Sequence, residues 1–575
     1  MAEQIVSPGV FTRENDQSFI TQQPVTVGAA IIGPTVKGPV EVPTVVTSYS
    51  EFKNKFGSTF VSASQTYSFL TSISAYNYFQ NGGETLLVTR VASGSWTPAT
   101  TGTTGANVIS GSEGDCAFVL NTISEGIIMN SDSTLDASGS LPSGSIDNIR
   151  WEISQANTSS GTFTLNIRRG DDNNNEKIIL ETFANVSLDP EQDNYVARVI
   201  GDTTYTLQTD GSVTYLQPSG SYPNNSKYVY VASVETPTAG YFDNNGAAKT
   251  AYTASIPIVD SGSFASATGT ILTGTGKYYE NISNADFQGL LPGNYDNAIS
   301  LLNNKDEYQY NVITAPGLIH SLSNATSTLN TLISNTQNRG DAIVVLDVED
   351  YGATIANVVN SATALNSSYA ATYWPWVQIT NPDTGKLNWV PASTLIPGVY
   401  AFNDNASEPW FAPAGINRGG LSTVVRPERK LTKANRDTLY EANINPIASF
   451  PANGTVVFGQ KTLQKKASAL DRVNVRRLLI ALKSYIGQVA NNLVFEQNSA
   501  ATRNSFLAQV NPYLESVQQR QGVYAFKVVM DASNNTPDVI DRNQLVGQIF
   551  LQPTRTAEFI ILDFNVLPTG AEFPA

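Results

Sequence analysis

Hydrophobic and polar positions change their period several times along the chain, and each change marks an element. In "VTVGAAIIGPTVKGPVEVPTVVTSYSEFKNKFG" (25–57) the pattern predicts a buried strand, a turn at Gly33-Pro34, a second strand and a short helix near Glu51. In "TYSFLTSISAYNYFQNGG" (66–83) Phe69, Ile73, Tyr76 and Phe79 recur at helical spacing, and Gly82-Gly83 ends the helix. "ETLLVTRV" (84–91) is then a continuous apolar strand, which completes a βαβ-like unit.

The pattern shifts at "ASGSWTPATTG". From there to about residue 296 come short alternating strands, such as "TFTLNIRR" and "KYVYVASV", between Gly, Asn and Ser turns. They predict an all-β insertion of one or two modules. The α/β pattern resumes near residue 297. "YQYNVITAPG" and "DAIVVLDVED" read as strands flanking the helix-like "HSLSNATSTLNTLISNTQNR", and two strands are expected around the Asp383-Thr384-Gly385 turn. From Arg429 the chain reads as helical and basic, then β-rich. The expected fold class is therefore α/β and α+β multidomain. Its parts are an arm (1–25), a middle domain (26–92 plus 297–427), an acidic all-β outer region (93–296), and a helical/β domain (428–575).

Both ends pose the same puzzle. Val10, Phe11, Thr12 and Arg13 have strand chemistry, yet Glu14 to Gln23 is nearly all polar and nothing nearby in sequence could cover such a strand. At the other end "GVYAFKVVMD" and "GQIFLQPTRTAEFIILDFNVLPTG" are strong strands; Ile560, Leu562, Phe564 and Val566 alternate with Ile561, Asp563, Asn565 and Leu567. Unpaired edges of this kind are an aggregation hazard unless pairing is intended, and strand addition between subunits would use them.

"DRVNVRRLLIALKSYIGQVANNLVF" (471–495) sets Val475, Leu479, Leu482, Ile486, Val489 and Leu493 along one apolar stripe of a long helix. At roughly 100° per residue, Arg472, Arg476 and Lys483 fall on a narrow line beside it. Such a line is either a solvated flank or a basic face laid on an acidic partner.

Charge sharpens this division. Residues 93–296 hold 22 Asp and Glu against 8 Lys and Arg, which is −14 of the chain's −15. Residues 428–483 hold 11 basic residues against 4 acidic ones, or +7. Opposite blocks in one chain point to surfaces facing different surroundings: solvent for the insert, an acidic partner for the basic block. The 41% hydrophobic content supports real cores. The apolar runs are too short or too polar to span a bilayer, and the start lacks a signal peptide's pattern, so a soluble, cytoplasmically made protein is expected.

Candidate chemistry is sparse. The single Cys116 and single His320 exclude a disulfide framework within the chain, a cysteine-rich zinc site and any multi-histidine metal site. His320, after Pro316-Gly317, reads as structural. "GPTVKGP" lacks the spacing of a phosphate loop. Asp347, Glu349 and Asp350 follow a buried-type strand at a turn, where acids are common. "DASNNTPDVIDR" has Thr536 and Arg542 where a calcium loop needs glycine and glutamate. "SEFK" lacks the companion motifs of its enzyme class. No enzyme activity, metal or cofactor is expected.

The residues resemble the contractile-tail sheath proteins of long-tailed bacteriophages. The likeness lies in "SPGVFTRE", "EPWFAPAGINRG", "VNVRRLLIALKSYI" and the long run from "VFEQNSAATRNSFLAQVNPYLESVQQRQGVYAFKVVMD" to "EFIILDF". It covers about residues 1–92 and 300–575; Pro512, inside what looks like a family helix, departs from it and is expected to kink that helix or start a second one. The resemblance implies subunits in six-membered rings, stacked helically around a tail tube, that exchange strands with their neighbours. The donated N-terminal strand would hold Ile5, Val6, Val10, Phe11, Thr12 and Arg13, tethered by a segment of about 12 residues reaching ~40 Å. The donated C-terminal strand would hold Phe559, Ile560, Ile561, Leu562, Phe564 and Val566. Arg472, Arg476 and Lys483 become tube-facing candidates. The implied partners are further copies, the tail tube, and baseplate and terminator or neck proteins, with no direct nucleic-acid contact and no membrane insertion. The implied location is the virion tail, assembled in the host cytoplasm. Two other readings compete. One is a β-rich adhesin or decoration protein, with Trp96 or Trp151 stacking on sugars; the other is a carboxylate-dependent glycan hydrolase. The sheath of a phage-derived secretion or bacteriocin machine is nearly the same function.

Overall fold

The structure is a computed structural model. It describes residues 27–558 apart from 63–64, 131–132, 135–143, 212 and 270–281. Its centre is an eight-stranded sheet. In chain order the strands are β1 (Val27–Gly33), β2 (Thr44–Val46), β3 (Leu86–Arg90), β4 (Tyr310–Ile319), β5 (Ile343–Asp347), β6 (Ala370–Trp374), β7 (Asn445–Phe450) and β8 (Gly454–Val457). They lie in the order β2-β3-β1-β4-β5-β6-β7-β8. The six inner strands are parallel, with Ala30 opposite Leu87 on one side and Ile313 on the other; β2 and β8 close the two edges antiparallel. Every residue of β3, β5 and β6 is buried, as expected for a parallel sheet covered on both faces.

The chain runs one way from β1 to β3 and the other way from β4 to β5. Right-handed crossovers then place helix α2 (Leu70–Gln80) and helix α3 (Ser323–Arg339) on opposite faces. Helix α1 (Tyr49–Phe56) precedes α2 and is capped by Ser48, whose side chain accepts from the Glu51 N–H. The expected apolar stripe of α2 is only part of its buried surface. Ser74 and Asn77 are fully buried while Tyr76 and Phe79 are half-buried, because α2 is sandwiched between the sheet and helix α4 (Ile396–Ala406). Gly398 of α4 permits that approach: a Cβ there would lie 2.7 Å from the Asn77 carbonyl oxygen.

The described part of residues 93–296 is β-rich and also contains the very short helices Val196–Ile200 and Thr250–Thr253 and a 3-10 turn at Pro292–Tyr295. Its two four-stranded assemblies share one core, in which the Phe118 and Phe163 rings stack 5.5 Å apart. Arg90 joins this region to the central sheet. Its guanidinium donates to the carbonyls of Gly38 and Glu125 and lies 4.4 Å from the Trp96 ring. Burial lowers its pKa to about 9.

After β8 come helices α6 (Val473–Asn491) and α7 (Ala500–Gln519), following α5 (Lys433–Glu441), and an antiparallel pair, β9 (Val523–Val529) and β10 (Gln548–Pro553). Helix α7 continues through Pro512 without a break. Phe506, Val510, Leu514 and Val517 bury one face, and Tyr513 stacks on Tyr485 with centroids 3.8 Å apart, so packing outweighs the missing hydrogen bond.

Candidate assembly surface

In open α/β sheets ligands bind where the strand order reverses, here beyond the carboxyl ends of β1 and β4. That crevice is filled by protein. Gln288, 2% exposed, accepts from the Leu70 N–H at 2.9 Å and donates to the Pro316 carbonyl at 3.1 Å. It thereby satisfies a first-turn donor of α2 that Phe69, at the N-cap, cannot. At the end of β5, Asp347 accepts from the backbone and hydroxyl of Ser393, and burial raises its pKa to about 7. Glu349 accepts from Ser361. His320 is buried with Nε2 3.3 Å from Asn330 Oδ1, and burial pushes its pKa down. Among the described residues no group of three or more His, Cys, Asp or Glu could hold a metal ion. No described helix is long and apolar enough to cross a membrane. Trp151 is 1% exposed and donates to the Asn107 carbonyl, so it is a core residue and offers no stacking face to a sugar.

The informative surface lies at the carboxyl end of the chain. Helix α6 is buried all round through its first two turns: Val473 and Ile480 enter the central core, while Leu478, Leu482 and Val489 enter a second core shared with α7, β9 and β10. The expected stripe is thus present but is only one of two buried faces. This also changes the basic line. Arg476 is 4% exposed, donates to the Ser368 carbonyl and hydroxyl, and stacks 3.9 Å from the Tyr369 ring centre. Arg472 grips Glu558 through two hydrogen bonds, at 2.8 and 3.1 Å, and pairs with Asp471. Only Lys483 of the three is exposed; its Nζ lies 3.3 Å from the Tyr369 hydroxyl. The expectation of a free basic stripe is corrected to one exposed lysine and two arginines engaged within the subunit. Sequence reasoning passed over Arg477, which is buried and pairs with Asp404 at 2.6 Å beneath the hydrogen-bonded Tyr373 and Tyr400 hydroxyls.

Strands β9 and β10 form a sheet of two, with no further partner among the described residues. Phe526, Val528, Ile549 and Leu551 pack against α6 and α7, while Tyr524 and Phe550 are 62% and 56% exposed. A two-stranded sheet is marginal alone and gains from further strands. The residues expected to be donated, Ile5, Val6, Val10, Phe11, Thr12, Arg13, Phe559, Ile560, Ile561, Leu562, Phe564 and Val566, lie outside the described residues.

Residues 292–463 match the phage tail sheath protein central domain, and residues 465–567 match the phage tail sheath C-terminal domain. Together these matches place the likeness to phage tail sheath proteins in residues 292–567. The chain is 44% identical over 185 residues to the tail sheath protein of Vibrio phage KVP40, and 42% identical over the same length to that of Enterobacteria phage T4. Each alignment covers 32% of this chain and 28% of the relative. The crystal structure of a sheath tail protein from Listeria innocua, 9% identical, superposes with a TM-score of 0.52 over 92% of this chain and 96% of that one; this likeness concerns the fold alone.

Proposed function

We propose that this chain is the subunit of a contractile tail sheath. It polymerises as stacked hexameric rings around a tail tube, and it contracts to drive the tube through a host envelope. Its site of action is the virion tail, assembled in the host cytoplasm, and its partners are the tube, baseplate and terminator or neck proteins. The role is structural and not enzymatic. The observation that carries the reading is the unfinished β9–β10 sheet inside the matched C-terminal domain: one face is packed, and both edges await strands among the described residues.

In this reading each sheet accepts residues 5–13 of one neighbour and residues 557–567 of another. Each backbone hydrogen bond so formed contributes on the order of 1 kcal/mol net, and several per strand keep the lattice connected while subunits move. Contraction is then a change between two packings of the same rigid domains, the contracted one lower in free energy. Lys483 is the tube-facing candidate that stays exposed. The sheath of a phage-derived machine would use the same subunit in the same way.

Negative-stain electron microscopy of the full chain beside a version lacking residues 1–20 tests this. Hollow tubes or rings that the truncation loses are the expected result. Equal tubes from both would overturn the arm mechanism alone. Monomers under all conditions, with no recruitment by tail tubes, would overturn the sheath reading.

A further inference from the structure

Phe495 sits in the α6–α7 turn with its side chain wholly exposed (101%), and Val494 beside it is 59% exposed. A lone exposed apolar side chain is ordinary; this one is also held in a disfavoured backbone. Phe495 has φ +71°, in the left-handed region that bulky residues avoid. The turn is braced on both sides of it. Leu493 packs into the core of α6 and α7, and the Asn498 side chain donates to the Gln544 carbonyl at 2.8 Å. Arg503 in turn donates to Asn498 Oδ1 at 2.7 Å. The tip is thus a pre-organised apolar knob with none of the described residues of its own subunit against it, and strain of this kind persists where the surroundings impose it.

The same chain carries a complementary hole. Beside α5 lies a groove of about 650 Å³ walled by Phe411, Tyr440, Pro446 and Phe458, the last 43% exposed. Its two acids are already paired, Asp437 with Lys433 and Glu558 with Arg472. Arg418 and Arg436 contact aromatic rings and backbone carbonyls at its rim and pair with no carboxylate among the described residues. The groove therefore offers apolar walls under a positive rim, and Glu496 follows Phe495 on the knob.

We propose that Val494 and Phe495 of one copy enter this groove of a second copy, with Glu496 facing Arg418 and Arg436. A knob and a hole on different surfaces of one chain make a head-to-tail contact, which propagates as a ring or a helical lattice. The inference rests on the sheath reading and adds a side-chain contact to the exchanged strands.

The test uses the full chain in a Cys116→Ser background. Separately purified Phe495→Cys and Phe458→Cys variants are mixed, assembled and oxidised. A cross-linked heterodimer joining the two positions, identified by peptide mass, is expected. Tubes without that cross-link overturn this contact and leave the sheath reading standing. Monomeric wild-type chain under all conditions, with no recruitment by tail tubes, overturns the sheath reading and the contact with it. Phe495→Asp, at unchanged melting temperature, should raise the concentration needed for assembly about thirtyfold, as for a buried aromatic anchor. An unchanged concentration overturns the contact. Faster thiol labelling of monomeric Phe458→Cys after removal of residues 559–575 would place the chain's own tail in the groove, which also overturns it.

Discussion

Arg472 holds Glu558 in a fork, with Nε and Nη2 2.8 and 3.1 Å from its two carboxylate oxygens; the Tyr440 hydroxyl at 2.9 Å and the Gln460 amide at 3.0 Å complete the grip. The last described residue is therefore pinned to the N-terminus of α6, where the segment expected to leave for a neighbouring subunit begins.

Arg472→Ala should loosen this root. Burial acts to raise the pKa of Glu558, but the hydrogen bonds from Arg472 and Gln460 outweigh it and hold the carboxyl below the ordinary range. A lowered carboxylate pKa stabilises the fold above the unfolded value, and that contribution is lost as pH falls through the folded one. Amide protection over residues 554–558, taken relative to the intrinsic exchange rate at each pH, should fall in acid in the wild type and already at neutral pH in the variant, for a loss of about 1 kcal/mol.

Asp347 predicts the opposite slope. Burial raises it from 3.8 to about 7, so between those values the folded chain holds a proton that the unfolded chain has released. Stability falls as pH rises through this window. Asp347→Asn should remove the slope, and at pH 8 it should exceed the wild type by on the order of 2–4 kcal/mol in urea unfolding.

Asp404→Ala leaves the Arg477 charge buried without its partner and should cost about 3 kcal/mol. The double variant Asp404→Ala/Arg477→Met should lose less than the sum of the two single changes, because no unpaired charge remains. Additive losses in thermal unfolding would show that the pair is not coupled.

Gln288→Ala opens the crevice at the strand-order reversal and strands the Leu70 N–H and Pro316 carbonyl. A loss of about 2–4 kcal/mol is expected as a lower urea midpoint at unchanged slope.

Much of the central fold was legible in the sequence. Continuous apolar runs such as "AIVVLD" suit strands covered on both faces, and the glycines and prolines between them end elements locally. The helix of residues 473–491 and the hairpin around Asp383-Thr384-Gly385 were readable for the same reason: their periodicity is a local property. The unbroken course of α7 through Pro512 was not, since Tyr513 on Tyr485 and the buried face toward α6 outweigh a local rule.

Charge was the least legible feature. Sequence spacing places Arg472, Arg476 and Lys483 on one line of a helix, but it cannot say what packs over that line. Arg476 meets Ser368 and Tyr369, more than a hundred residues away, and Arg472 meets Glu558. What the sequence determined by itself is periodicity, charge segregation and the sheath resemblance, because these depend on neighbours along the chain. What only the tertiary structure decided is which charges are spent inside the subunit, that Gln288 fills the crevice, and that Phe495 is left exposed among the described residues, because burial and pairing are set by residues far apart in sequence.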